Sequence, residues 1–144
     1  MSNVDPAGQQ GGAADELARV SFEVMGRLAR LAAEADLSLT QLRMLAILRD
    51  RRPRMAELAA ALGIDRSSVS GLIGRAEQRG LVTREAATSD GRGVSVALTP
   101  TGRKFVAPLE LRSNNALEPL LANLAPAERQ TLERLLAQIT DQQR

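Results

Sequence analysis

Arg66, Ser67, Ser68 and Ser70 follow Asp65 at the start of a run with helical spacing, and Arg75 and Arg79 lie further along it. Short hydroxyls and guanidinium groups in the first turns of a helix can bond base edges or phosphates when that helix enters the major groove of DNA. Which of the two each serine would meet is left open. Arg75 and Arg79 are placed to hold phosphate or a neighbouring carboxylate, so pairing within the chain competes with DNA for both. Arg54 belongs to a basic turn, Arg51-Arg52-Pro53-Arg54, that can touch phosphate or stand solvated. None of these groups breaks covalent bonds unaided. The chain has no His, no Cys and a single Lys, which excludes Ser-His-Asp and Cys-His catalysis and shows no nucleophile-base pair. A zinc or transition-metal site would have to be built from carboxylates alone, and disulfides or thiol switches are impossible. The chemistry on offer is recognition; neither cofactor nor metal is expected.

Several elements must position these groups. Met55 to Leu62 reads as a short helix, Gly63-Ile64 as a tight turn, and Asp65 to Arg79 as a second helix. Leu58, Leu62, Ile64, Val69 and Leu72 fall where two helices joined by a short turn face each other, and Ala59 is small where they approach. Gly63 suits the left-handed position that closes the first helix, and Asp65 can cap the second. This is the outline of a helix-turn-helix. Leu81 to Arg84 is short and β-prone, Ala86 to Gly93 is polar and turn-rich, and Val94 to Leu98 alternates with period two. A hairpin attached directly to a helix-turn-helix makes a winged helix. Thr99 can cap the next helix, with Pro100 at its first position.

Composition agrees with a helical, DNA-facing domain. The 144 residues suit one domain, and 44% are apolar with only two aromatics, Phe22 and Phe105, so the core must be mostly Leu, Ala and Val. The pI of 10.3 overstates the basicity, because little titrates between the carboxylates and the arginines and the net charge is only +2. Distribution matters more. From Arg43 to Lys104 there are 12 basic residues against 6 acidic; the remaining segments hold 7 against 11. A basic module in an acidic frame is the footprint of a DNA binder. No apolar run approaches a membrane span and nothing resembles a secretion signal, so a cytoplasmic protein without membrane contact is expected.

Around this module the chain reads as a disordered tail over residues 1–12 and an amphipathic helix over 14–35. The helix carries Leu17, Val20, Val24, Leu28 and Leu31 on one stripe. Ser38, Gln41, Leu37 and Leu42 form a capping box with its hydrophobic staple, opening a helix that stops near Asp50 because Pro53 follows. After Thr99 the chain should be helical to about residue 123, with Pro108 and Pro119 each kinking or breaking it. Pro126 opens a last helix with Leu132, Leu135, Leu136 and Ile139 on one face. The expected architecture is mainly α (α+β). Residues 13–144 form one domain, with a winged helix-turn-helix lobe at 38–102 and dimerisation helices at 13–36 and 103–144.

Glu57-Leu58-Ala59, Asp65-Arg66-Ser67-Ser68-Val69-Ser70, Arg79-Gly80-Leu81-Val82, Asp90-Gly91-Arg92 and Leu98-Thr99-Pro100-Thr101-Gly102, in that order, resemble the multiple-antibiotic-resistance-regulator (MarR) family. The resemblance covers about residues 15 to 142 in outline, with sharp motifs only in 55 to 102. It implies a homodimeric repressor of pseudo-palindromic operators, released by a small aromatic or anionic effector between the dimer helices and the DNA-binding lobe. Arg112, Asn114 and Asn115 are polar residues available to line such a pocket, although plain exposed helix surface accounts for them better. It also implies that Arg92, at the wing tip, reaches the minor groove, while Asp90 shapes the turn or orients that arginine. Gly71, Gly74, Ala76 and Arg54 depart from the family pattern, which bears on single contacts rather than on the fold. The competing reading is a winged-helix protein-interaction module without specific DNA binding. The segregation of charge and Arg92 argue against it.

Overall fold

The computed structural model describes residues 11–86 and 93–141. Residues 1–10 of the tail expected at 1–12, and both wing-tip residues, Asp90 and Arg92, lie outside the described residues. The chain runs α1 (Gly12–Glu34), α2 (Leu39–Asp50), α3 (Met55–Leu62), α4 (Arg66–Gln78), β1 (Val82–Ala86), β2 (Val94–Leu98), α5 (Pro100–Leu117), a 3₁₀ turn (Glu118–Leu121) and α6 (Pro126–Asp141). No helix among the described residues is long and apolar enough to cross a membrane.

Local hydrogen bonds set most element boundaries. Ser38 Oγ accepts from the Gln41 N–H at 3.1 Å while Gln41 Oε1 accepts from the Ser38 N–H at 2.7 Å, the full capping box of α2. At α3 only half of such a box exists. Glu57 accepts from the Arg54 N–H at 3.0 Å, but a guanidinium has no lone pair to return the bond. Gly63 ends α3 with φ 68°, the left-handed region that a side chain disfavours. The first strand begins one residue later than expected, because the Leu81 N–H is used to close α4 on the Ala76 carbonyl at 3.0 Å. It also runs further, to Ala86, pairing Val82 with Leu98 and Ala86 with Val94 in an antiparallel hairpin. The Pro53 carbonyl accepts from the Val96 N–H at 2.9 Å and Arg54 bridges to Ser95, so the basic turn forms a third edge beside β2.

The core lies between α2, α3, α4, the hairpin and the start of α5, with Met44, Leu45, Leu58, Val69, Ile73 and Val96 completely enclosed. The α1 stripe joins it only at one end: Leu31 is buried, Leu28 packs against the core, and Leu17 and Val20 are exposed at 46% and 52%. No residue of α6 is buried, and Leu135, Leu136 and Ile139 stand open to solvent.

Of the two outcomes expected at Pro108, a kink or a break, the break does not occur. The α5 helix continues through it to Leu117. Pro108 and Lys104, whose carbonyl loses its helical partner, are both exposed, so water can satisfy that oxygen. Val106 and Leu109, buried in the core on the opposite side, hold the helix in place. At Pro119 the expectation holds: the α-helix gives way to the 3₁₀ turn.

Candidate nucleic-acid interface

Asp65 organises the exposed start of α4. Its Oδ1 accepts from the Ser67 hydroxyl at 2.6 Å and the Ser68 N–H at 2.8 Å, and its Oδ2 accepts from the Ser68 hydroxyl at 2.9 Å. The Ser67 hydroxyl above all, then the two groups of Ser68, hold the Asp65 carboxyl well below the usual carboxylate range. The carboxylate is therefore ionised at any physiological pH. It satisfies a helix N-terminus whose partial positive charge favours it.

Ser67, Ser68, Gly71 and Arg75 share one face of α4 and, with Ser38 and Thr40 of α2, line a shallow open groove. Arg66 and Arg75 are exposed and, among the described residues, make no ion pair or hydrogen bond. Two free cations flank a row of hydroxyls, which is an arrangement suited to phosphate and base edges. Ser70 is half-buried and differs from its neighbours: Arg84 of β1 donates to its carbonyl at 3.3 Å and its hydroxyl at 3.4 Å while pairing with Glu77 at 3.0 Å. Arg84 thus fastens the wing to α4, a role its position in a strand did not signal.

Arg79 lies at the far end of α4, about 20 Å from the first turn at 1.5 Å per residue. Its guanidinium donates to the carbonyls of Asp36 at 3.2 Å and Ala35 at 3.3 Å, and stacks 5.1 Å from the centroid of Phe105. It ties the turn after α1 to α4 and α5, leaving Arg66 and Arg75 as the cations of the helix without a partner among the described residues. Arg54 is exposed beside the hairpin, next to Arg52, which pairs with Glu85 at 3.2 Å. Of the candidate DNA-binding residues, the fold brings Arg66, Ser67, Ser68, Ser70 and Arg75 onto one helix surface. Arg54 is held at the base of the wing.

A second concavity, of about 490 Å³, opens between α1, α2 and α5. Its walls include Met25, Leu28, Leu42, Leu45, Val106 and Leu109, and its polar edge is formed by Arg43, Arg49, Glu110 and Asn114. Of the three polar residues weighed for such a pocket against plain helix surface, Asn114 lines the concavity, Arg112 pairs with Glu34 of α1, and Asn115 is exposed elsewhere on α5. Arg49 is held by Asp50 at 2.7 Å and Glu110 at 2.7 Å, tying α2 to α5. Arg43 donates to the Ala61 carbonyl at 2.8 Å and the Leu62 carbonyl at 3.5 Å, at the end of α3. Neither arginine was singled out by sequence, since neither carries a motif.

Comparison with known proteins places this geometry. Residues 35–93 match the model of the MarR family. A Bacillus subtilis protein described as an uncharacterized HTH-type transcriptional regulator, YfiV, is 30% identical over 98 residues, 67% of this chain and 61% of that protein. The chain spans 49% and 61% of the lengths of two curated relatives it matches. Among solved structures, apo MarR of E. coli superposes with a TM-score of 0.73 at 25% identity, covering 88% of this chain and 96% of that one. BpsR of Bordetella bronchiseptica, whose DNA binding is described as regulated by 6-hydroxynicotinic acid, gives 0.72 at 26% identity over 97% and 99%. With the MarR family model on the helix-turn-helix and the likeness of fold extending over both flanking helical regions, this chain carries the MarR-type helix-turn-helix within the same winged-helix fold.

Proposed function

We propose that the protein is a sequence-specific DNA-binding transcriptional regulator, acting in the cytoplasm as a homodimeric repressor on a pseudo-palindromic operator. The observation that carries this reading is the exposed face of α4, where hydroxyls stand beside Arg66 and Arg75, two cations with no partner among the described residues. Against a duplex such charges release counterions. The open apolar faces of α6 and of the N-terminal half of α1 support the dimer, because Leu17, Val20, Leu135, Leu136 and Ile139 otherwise remain in water. A two-fold dimer would present two α4 helices to half-sites about 10 bp apart.

The cavity between α1, α2 and α5 is of a size for a small aromatic molecule, and an anionic group on it would meet Arg43, since Arg49 is already paired with Asp50 and Glu110. It sits where the helices leading to the dimer face meet the winged lobe. A ligand that binds it differently in two lobe spacings would shift DNA affinity. The test is binding to the DNA upstream of the protein's own gene, against a scrambled duplex, across a salt series. Tight binding of two subunits per native site with a steep salt dependence is the expected result. Equal, weak and salt-insensitive binding to both duplexes would refute an operator there and favour a protein-interaction module.

A further inference from the structure

The serines at the start of α4 have a fixed polarity. A serine hydroxyl carries one proton and two lone pairs, whereas an ionised carboxylate only accepts. Ser67 Oγ lies 2.6 Å from one Asp65 oxygen and Ser68 Oγ 2.9 Å from the other, so both hydroxyl protons point at Asp65. The Ser68 N–H, 2.8 Å from Asp65 Oδ1, locks the carboxylate against rotation. What the two hydroxyls present to the groove is therefore lone pairs. A phosphate oxygen, itself only an acceptor, cannot bond to them, and the charge on Asp65 repels it. In the major groove the hydrogen-bond donors are the amino groups of adenine and cytosine; guanine O6, the N7 atoms and thymine O4 all accept.

Resting on the DNA-binding reading, we propose that Ser67 and Ser68 are specificity-determining acceptors that select an adenine or cytosine amino group in each half-site. Asp65 is the positioning residue that orients them. Phosphate and guanine contacts then fall to Arg66 and Arg75, which have donors to spare. The division of labour is chemical: acceptors on the hydroxyls, donors on the guanidinium groups.

The experiment begins by selecting sites from random duplexes with the full-length protein. If the wild type enriches no sequence, the DNA-binding reading fails and takes this inference with it. Given a selected site, each adenine is replaced in turn by deoxynebularine, which lacks the N6 amino group, and each cytosine by deoxyzebularine, which lacks the N4 amino group. The position that responds distinguishes adenine from cytosine. One such position per half-site should weaken wild-type binding about fivefold, the worth of a neutral hydrogen bond. Ser67→Ala or Ser68→Ala should abolish the sensitivity at that position. Asp65→Asn, which can still cap the helix but offers an N–H₂ in place of one oxygen, should free a serine proton and move the preference towards thymine or guanine. Thermal unfolding of each variant checks that it remains folded. Two results would overturn the inference: serine variants that weaken selected and scrambled duplexes by the same factor, as phosphate contacts would, or an Asp65→Asn protein that selects the wild-type sequence.

Discussion

Gly102 is the position at which a single methyl group should do most harm. It is buried in the first turn of α5, directly under the strand-entry residue Leu81. A Cβ placed there would lie 1.9 Å from the Leu81 carbonyl oxygen and 2.9 Å from its carbon. Ordinary carbon-oxygen contact begins near 3.3 Å, so α5 and the α4–β1 junction would have to separate by roughly 1.4 Å. Both sides of the clash are backbone, and neither can rotate away. The separation also strains three hydrogen bonds at the same joint. The Leu81 carbonyl accepts from the Thr99 N–H at 3.0 Å, the Thr99 hydroxyl donates to the Gly80 carbonyl at 2.5 Å, and it accepts from the Gly102 N–H at 2.9 Å. Overpacking costs about 1–3 kcal/mol and each weakened bond up to about 1 kcal/mol, so Gly102→Ala should cost about 3–5 kcal/mol. That is a large share of the roughly 5–15 kcal/mol that holds a domain folded. Thermal and urea unfolding followed by circular dichroism, at one fixed protein concentration because a dimer is stabilised by mass action, should show Tm lower by about 10 °C or more. A loss below about 1 kcal/mol would refute the claim that this contact is rigid.

Gly74 is the counterpart: nothing lies within 4 Å of its would-be Cβ inside α4, so Gly74→Ala should stabilise by about 1 kcal/mol on the same melts, and destabilisation would contradict it. Asp65 titrates lower in the folded chain than its unfolded value of about 3.9, so its stabilisation is complete above that pH and is lost as pH falls through the folded value. The stability gap between wild type and Asp65→Asn should thus be constant near neutrality and shrink below about pH 4; a gap that widens on acidification would show the wrong sign. Replacing Leu135 and Leu136 together with Glu should yield monomers in sedimentation that bind DNA poorly, whereas an intact, active dimer would place the interface elsewhere. Arg92→Ala should weaken operator binding and lower the salt slope by about one unit, and unchanged affinity would remove the wing tip from the mechanism.

Most of what was legible in the sequence depends on groups within four residues of one another. The Ser38–Gln41 box, the Asp65 cap, the left-handed Gly63 and the Thr99-Pro100 start of α5 are closed by hydrogen bonds that span three or four residues. Their geometry follows from residue type and spacing alone, before any helix packs on another. The helical period of apolar residues likewise identifies which faces must be covered. It does not say by what, as the α1 stripe shows by meeting the core at Leu31 and solvent at Val20.

Tertiary structure decided the rest, because the partners are distant in sequence and brought together only by packing. Arg79 finds carbonyls 43 and 44 residues away and the face of Phe105, Arg84 reaches back to Ser70, and Arg43 caps α3 from α2. Pro108 stays inside a helix because its flanking residues Val106 and Leu109 are buried in the core, so burial outweighs a local rule. Three helices must cross before the cavity exists at all. Residue types and short spacings therefore determined the helix-turn-helix, its caps and the hydroxyl-rich face of α4. The fold alone assigned the arginines, leaving Arg66 and Arg75 without a partner among the described residues while engaging Arg79, Arg84 and Arg43, because a guanidinium at the end of a long side chain takes whatever acceptor the packing brings within reach.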